Sequence, residues 1–307
     1  MNNYAYIVAA SKEFVPAINA MFNSLEYLKN QYKVIFISYK YPEPLPEVSF
    51  PVDIIEVGDQ ECQVKGTAIE RFRVAYEMAP AYDAICLMDA DMFFLHPVDL
   101  FFDVAAKGFI VTGSNGMVID YNREYQERYE LDMGVDHFVY MKLHTTAPIW
   151  INHENTDWFE RLYNSRRIDS WDDFLFLNLL GAYMGKDKKM IVMPPYMFTG
   201  IHHWQVKPAT ALFEKGNDRI IMSGTEEEVY IIHGKWWDEA WFSGMMPTME
   251  RYLSDEQIGP RGKLIVQNAL DISKGLFDKF SKGNGLRPES KVETESYPDI
   301  YGVYDGG

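Results

Sequence analysis

The strongest constraint on the fold is an alternation near the N-terminus. Short apolar runs rich in β-formers are interleaved with longer segments whose apolar residues recur every three or four positions. "YAYIVAA" (4–10), "YKVIFISY" (32–39), "VDIIEV" (52–57) and "DAICLMD" (83–89) read as strands. After the first of these, "SKEFVPAINAMFNSLEYLKN" places Ile18, Met21, Phe22, Leu25 and Leu28 at helical spacing, with Ser11 as the cap. "GTAIERFRVAYEMA" (66–79) reads as a second helix. Strand, helix, strand, strand, helix, strand predicts an α/β sheet with a parallel core. In such sheets ligands bind beyond the carboxyl ends of the strands.

The later pattern is mixed. "GFIVTGS" (108–114), "KMIVMPP" (189–195) and "VYIIHGKWW" (229–237) read as further strands. "WFERLYN" (158–164) and "WDDFLFLNLLGAYM" (171–184) read as helical. "YNREYQERYELD" (121–132) carries charges at helical spacing and reads as a solvated helix face. "LIVQNALDISKGLFDKF" (264–280) is an amphipathic helix in expectation. Asp271 and Asp278 dilute the charge of Lys263, Lys274, Lys279 and Lys282, so it reads as packed on the core rather than on a membrane. The expected organisation is a main domain over 1–250, a helical extension over 251–282, and a polar tail over 283–307 that is mobile or docked.

Composition narrows the function classes. Hydrophobic residues at 47% and charged residues at 24% suit a globular chain with a real core. The net charge of −16 argues against phosphate-backbone binding, which Lys and Arg drive. Cys62 and Cys86 form neither a disulfide framework nor a zinc spacing. The N-terminus lacks a basic region followed by a long apolar stretch, and no run approaches the ~18 apolar residues of a membrane span. A soluble, reducing, cytoplasmic setting is expected.

The chemistry is concentrated in "YDAICLMDADMFFLHPVDLFF" (82–102). An apolar strand runs into Asp89-Ala90-Asp91, and a second apolar run follows at once. On a continuing strand the two carboxylates would share a face. Held together they repel, and a shared proton, a cationic side chain or a divalent metal must compensate. Carboxylate oxygens left partly open to water suit Mn²⁺ or Mg²⁺, ions that bridge to phosphates. A bare Asp-x-Asp is ordinarily a capping residue and a solvated turn, but apolar flanks on both sides are not what a solvated turn carries.

This segment resembles the metal-binding stretch of nucleotide-sugar glycosyltransferases of the GT-A, single-Rossmann-like fold. In particular it resembles the glycogenin-like and bacterial galactosyltransferase group called family 8, which implies an α/β fold on a mixed, mostly parallel sheet flanked by helices. "AYIVAASKEFVPAINAMFNSL" is similar to the family's first strand and helix. That likeness implies that Ala9, Ala10, Ser11, Glu13 and Phe14 line the nucleotide side. "AIERFRVAYEMAPAYD" resembles the helix that carries a basic residue facing the donor, which falls on Arg71 or Arg73. "YIIHGKWWDEAW" resembles the late His-x-x-Gly-x-x-Lys-Pro-Trp segment. It implies His233 as a metal ligand beside Asp89 and Asp91, with Gly234, Lys235 and Ala90 near the diphosphate. "WDDFLFLN" stands where the family has a carboxylate near the sugar, implying Asp173, then Asp172, as catalytic residues.

The late motif is compressed to His233-Gly234-Lys235-Trp236, without spacer residues or proline, so its loop differs from the family's. The family's Asn-Ala-Gly segment has no counterpart in "HTTAPIWINHENTDWF". His202, His203, Trp204 and Trp236 are candidate acceptor contacts, with structural roles as the alternative, and Trp237 and Trp241 could equally stack on a sugar or pack. The two glycines of "GSNGMVID" (113–120) are either a plain turn or part of the sugar pocket.

The resemblance implies a metal-dependent transferase moving a sugar from a nucleotide sugar, a UDP-sugar first, to an acceptor hydroxyl with retention. The acceptor class stays open among glycan, lipid-linked sugar, protein and, less in keeping with the charge, a modified nucleobase. Two other readings compete. A nucleotidyltransferase also uses paired aspartates, but "AASKEF" lacks the Gly-rich basic loop expected after its first strand. A silent sugar-binding scaffold predicts loss of a metal ligand, and all the candidates are present.

Overall fold

The protein is described from a computed structural model, in which residues 2–11, 14–40, 44–58, 67–90, 92–94, 96–114, 119–122, 127, 137–140, 144–164, 190–193, 200–201, 230–234, 254, 263 and 267 are defined. In chain order the elements are β1 (Tyr4–Ser11), α1 (Val15–Tyr27), β2 (Lys33–Tyr39), β3 (Val52–Glu56), α2 (Thr67–Met78), β4 (Ala84–Met88), β5 (Met92–Phe94) and α3 (Asp99–Ala105). Then come β6 (Ile110–Ser114), β7 (Ile119–Asn122), β8 (His137–Tyr140), β9 (His144–Ile151), α4 (Asp157–Asn164), β10 (Met190–Met193), β11 (Gly200–Ile201) and β12 (Ile231–Gly234).

The main sheet has seven strands in the order β10-β6-β9-β4-β1-β2-β3. Every strand but β9 runs the same way, so this is the mixed, mostly parallel α/β sheet that the sequence predicts. Its two faces follow from strand alternation. Ala5 and Ile7 of β1 and Ile85 and Leu87 of β4 pack with Phe72 and Ala75 of α2 and Phe159 of α4. Tyr4, Tyr6 and Val8, with Cys86 and Met88, pack instead with Ile18, Met21, Phe22 and Leu25 of α1 and Phe101 and Phe102 of α3. Both faces are covered, which is why the central strands read as continuous apolar runs.

Three departures from the sequence reading have physical causes. Ser11 does not cap a helix: it is the last residue of β1 and pairs with Tyr39. The helix starts at Val15 with proline in its first turn, where a missing N–H and a fixed φ suit the helix start, and Phe14 at the cap makes no side-chain capping bond. The segment "HTTAPIW", without a predicted element, is β9, a central strand between β4 and β6. Proline argues against a central strand, but Pro148 falls where the register of β6 against β9 shifts, between Thr112 and Ser114, so no ladder bond is asked of it. Its bond to Ala147 is cis. Tyr121 and Asn122, assigned to a helix face, end strand β7, which pairs with β8 as an antiparallel ribbon; Glu127 is helical and exposed.

Gly113 is buried within β6, so the first glycine of "GSNGMVID" belongs to a strand rather than a turn. The helix expected over 171–184 lies outside the described residues. So do the two C-terminal regions, save helical Ser254, Lys263 and Gln267. Among the described residues no helix is long and apolar enough to cross a membrane.

Candidate active site

Strand β4 ends at Met88, one residue earlier than expected. Asp89 is therefore not on the strand. Its carbonyl accepts the Met92 N–H at 3.3 Å, which closes a turn around the acidic motif at the carboxyl end of the sheet. Ala90 is buried within that turn, and Asp91 lies outside the described residues. Arg71 Nη1 is ion-paired with Asp89 Oδ1, and the same nitrogen donates to the Met88 carbonyl at 3.2 Å. The Arg71 side chain is 3% exposed and Asp89 is 22% exposed. The guanidinium also lies over the Phe72 ring, 5.1 Å from its centroid. The cation is the buried member of the pair and the carboxylate the more exposed one.

The neighbouring arginine is used differently. Arg73 Nε donates to Glu70 Oε2 at 2.7 Å and Nη1 to Glu77 Oε2 at 2.8 Å, and the guanidinium sits 6.0 Å from the Tyr163 ring centroid. Tyr163 in turn donates to Glu70 Oε1 at 3.0 Å. Two residues apart on a helix is about 200° of rotation, so one arginine serves the sheet edge and the other ties α2 to α4.

Directly after the turn, β5 starts a second, three-stranded sheet in the order β11-β12-β5. β12 pairs with β5 antiparallel, setting Ile231 against Phe94, Ile232 against Phe93 and His233 against Met92. Opposed residues in such a pair have Cα atoms roughly 5 Å apart. The backbone of His233 therefore stands beside the residue that follows Asp91. On the other side of β12, Gly200 pairs with His233 and Ile201 with Gly234. β11, which ends at Ile201, thus lies beside the strand that carries His233.

The elements around this junction are closely packed. Tyr230, just before β12, lies 4.9 Å ring to ring from His96 and 5.9 Å from Phe101. Phe101 lies 4.9 Å from Trp150, which is fully buried in β9. On the far side of β5, the Phe94 N–H donates to Ser24 Oγ of α1 at 3.1 Å. Ser24 was not among the residues singled out from the sequence. Its signal is there: a hydroxyl placed three residues after Met21, inside the apolar stripe of α1.

At the carboxyl end of β1, Ala9, Ala10 and Ser11 pair with Ile37, Ser38 and Tyr39 of β2. Phe14 is partly buried against the α1 side of the core. Glu13, Asp172, Asp173, His202, His203, Trp204, Lys235 and Trp236 lie outside the described residues, as does the side chain of His233. Among the described residues no three His, Cys, Asp or Glu side chains gather as a metal site. The site residues brought together by described backbone are Asp89, Ala90, Arg71, His233 and Gly234, with the end of β1 along the same sheet edge.

No family model matches the chain, and no curated protein does. Among solved structures the chain is similar to a galactosyltransferase, LgtC, solved in complex with donor and acceptor sugar analogs. The identity is 12%, the match covers 84% of this chain and 99% of that one, and the TM-score is 0.47.

Proposed function

We propose that this protein is a glycosyltransferase that uses a divalent metal and a nucleotide-sugar donor. One observation carries the reading: the antiparallel pairing of β12 with β5, which places His233 opposite Met92 at the exit of the acidic turn. Core packing of Ile231 and Tyr230 supports the same pairing, and the two segments it joins are the ones that resemble a metal-ligand set in sequence.

The residues fit such an ion by their chemistry. Arg71 offsets the charge of Asp89, and two carboxylates with an imidazole are a donor set that suits Mn²⁺. Asp89, Asp91 and His233 would hold the ion. When bound, Mn²⁺ or Mg²⁺ supplies electrostatic stabilisation of the negative charge that grows on a leaving diphosphate. Arg71 keeps the Asp89 carboxylate in one orientation, and the buried Phe72 face beneath the guanidinium keeps Arg71 there. Gly234 at the end of β12 allows close backbone approach, and Lys235 adds positive charge beside it. The end of β1 with Glu13 and Phe14 takes the nucleotide side. Asp173, with Asp172 as its neighbour, is the carboxylate assigned to the sugar, and retention follows from the family likeness.

The donor is assigned as a UDP-sugar. The acceptor enters past β11, where His202, His203 and Trp204 follow, and Trp236 follows β12. The test is calorimetric titration with Mn²⁺ present, across UDP-, GDP-, CMP- and dTDP-sugars. The expected result is binding of a UDP-sugar that is lost on chelation. Failure of every nucleotide sugar to bind overturns the transferase reading. Binding of a nucleoside triphosphate and a sugar phosphate instead would select nucleotidyl transfer, and donor binding without turnover on any acceptor would select a scaffold.

A further inference from the structure

We propose that Ser24, on α1, is a positioning residue for the acidic turn, holding β5 where Met92 meets His233. The inference deepens the function proposed above and rests on it.

Ser24 is 1% exposed, among Met21, Phe22 and Leu25 on the buried side of its helix. A serine in a helix interior ordinarily turns to solvent or bonds back to its own helix. Here it does the second and something more. Its hydroxyl donates to the Met21 carbonyl at 2.7 Å, and the same oxygen accepts the Phe94 N–H at 3.1 Å. The donor bond fixes the rotamer, and the rotamer aims a lone pair at β5.

β5 needs that hold. It is a three-residue strand at the edge of its sheet, bonded to β12 along one side. A ladder this short has few bonds to lose, and its outer edge would present unpaired backbone to the core. The Phe94 N–H is one such group, and Ser24 satisfies it. Met92, two residues earlier, both faces His233 and donates to the Asp89 carbonyl that closes the turn. Movement of β5 away from α1 is therefore passed to both ends of the ligand set. A purely structural serine would lower stability without changing how the folded protein takes up metal.

The experiment titrates Mn²⁺ alone into the full chain and reads free Mn²⁺ by electron paramagnetic resonance. Alongside it, amide hydrogen exchange is measured over β5 and β12. Ser24→Ala should weaken Mn²⁺ binding roughly tenfold, as removal of supporting partners around a metal does. Ser24→Thr keeps the hydroxyl and the back-bond and should restore affinity to within about twofold. Exchange at Phe94 and along β12 should quicken in Ser24→Ala and return in Ser24→Thr. If Ser24→Ala does not fold, Ser24→Cys, close in size and a poorer acceptor, is read the same way. Unaltered Mn²⁺ affinity in a folded Ala or Cys variant overturns the positioning role while leaving the metal site standing. Absence of Mn²⁺ binding by the unsubstituted protein overturns the metal site, and this inference with it.

Discussion

His233 lies opposite Met92 across an antiparallel pair of strands, although the two are far apart in sequence. Backbone ladder bonds, buried Ile231 and the ring contacts of Tyr230 all support that pairing. Replacing the His233 side chain leaves these three in place, so it tests chemistry more than architecture. His233→Ala should fold with an unchanged melting temperature and lose Mn²⁺ affinity by about 100-fold or more. Asp91→Asn should do the same and should abolish metal-dependent donor hydrolysis. Unchanged hydrolysis in Asp91→Asn would remove the proposed metal role.

The two arginines of α2 separate binding from scaffolding. Arg71→Ala leaves the partly buried Asp89 carboxylate without its cation and should cost about 3–5 kcal/mol in denaturant unfolding. It should also abolish donor binding. Arg73→Ala removes the cation paired with the fully buried Glu70 and should destabilise too, yet donor affinity should stay as it was. Equal donor affinity in both variants would break the assignment of Arg71 to the site.

The ring contacts at the entry to β12 give a finer test. His96→Ala removes a ring 4.9 Å from Tyr230 and should cost roughly 1 kcal/mol, the scale of one aromatic pair. The signature is local: faster amide exchange at Ile231 and Ile232, with β1 and β4 unaffected. Uniformly faster exchange across both sheets would mean that the ring pair supports the whole core instead.

At the opposite end of β1, Tyr4 donates to Asp103 Oδ1 at 2.6 Å and stacks on Phe102, 4.9 Å between centroids. Burial, then the bond to Asp103, pushes the Tyr4 phenol up to about 12. Tyr32, bonded to Asp99, is raised as well, first by burial and then by that bond. An unfolded tyrosine ionises near 10, so between pH ~10 and ~12 the folded state holds the proton that the unfolded state gives up. This contribution is whole below pH ~10 and disappears as pH rises towards 12. Tyr4→Phe should be less stable at pH 8 but should lose less stability between pH 10 and 12. A parallel pH curve for the variant would contradict the assignment.

The sheet was legible because both of its faces are covered. Burial on both sides forces unbroken apolar runs in β1, β2 and β4, and a run of that kind needs no partner to be recognised. β9 was hidden by Pro148, whose meaning depends on a register shift in a neighbouring strand. The β7–β8 ribbon was hidden because its strands are four residues long, and the charged stretch at helical spacing begins where β7 ends. The acidic turn was legible from its apolar flanks, but its cation was not, since Arg71 and Arg73 carry the same local pattern and differ only in helix face. Ser24 was illegible for a related reason. A hydroxyl within an apolar stripe shows that something polar is met there, and only the fold shows that it is the amide of Phe94.

The small sheet also sets an order of events during synthesis. The acidic turn and β5 leave the ribosome early, with Ser24 already available to cover one edge. The partner for the other edge is β12, which at ordinary translation speeds emerges on the order of ten seconds later. A nascent chain can thus assemble β1 to β4 around α1 and α2 while the proposed metal site still lacks a wall. The site would close only when most of the chain has been made, so a message cut short before residue 231 would yield a protein with much of the core and none of the proposed chemistry.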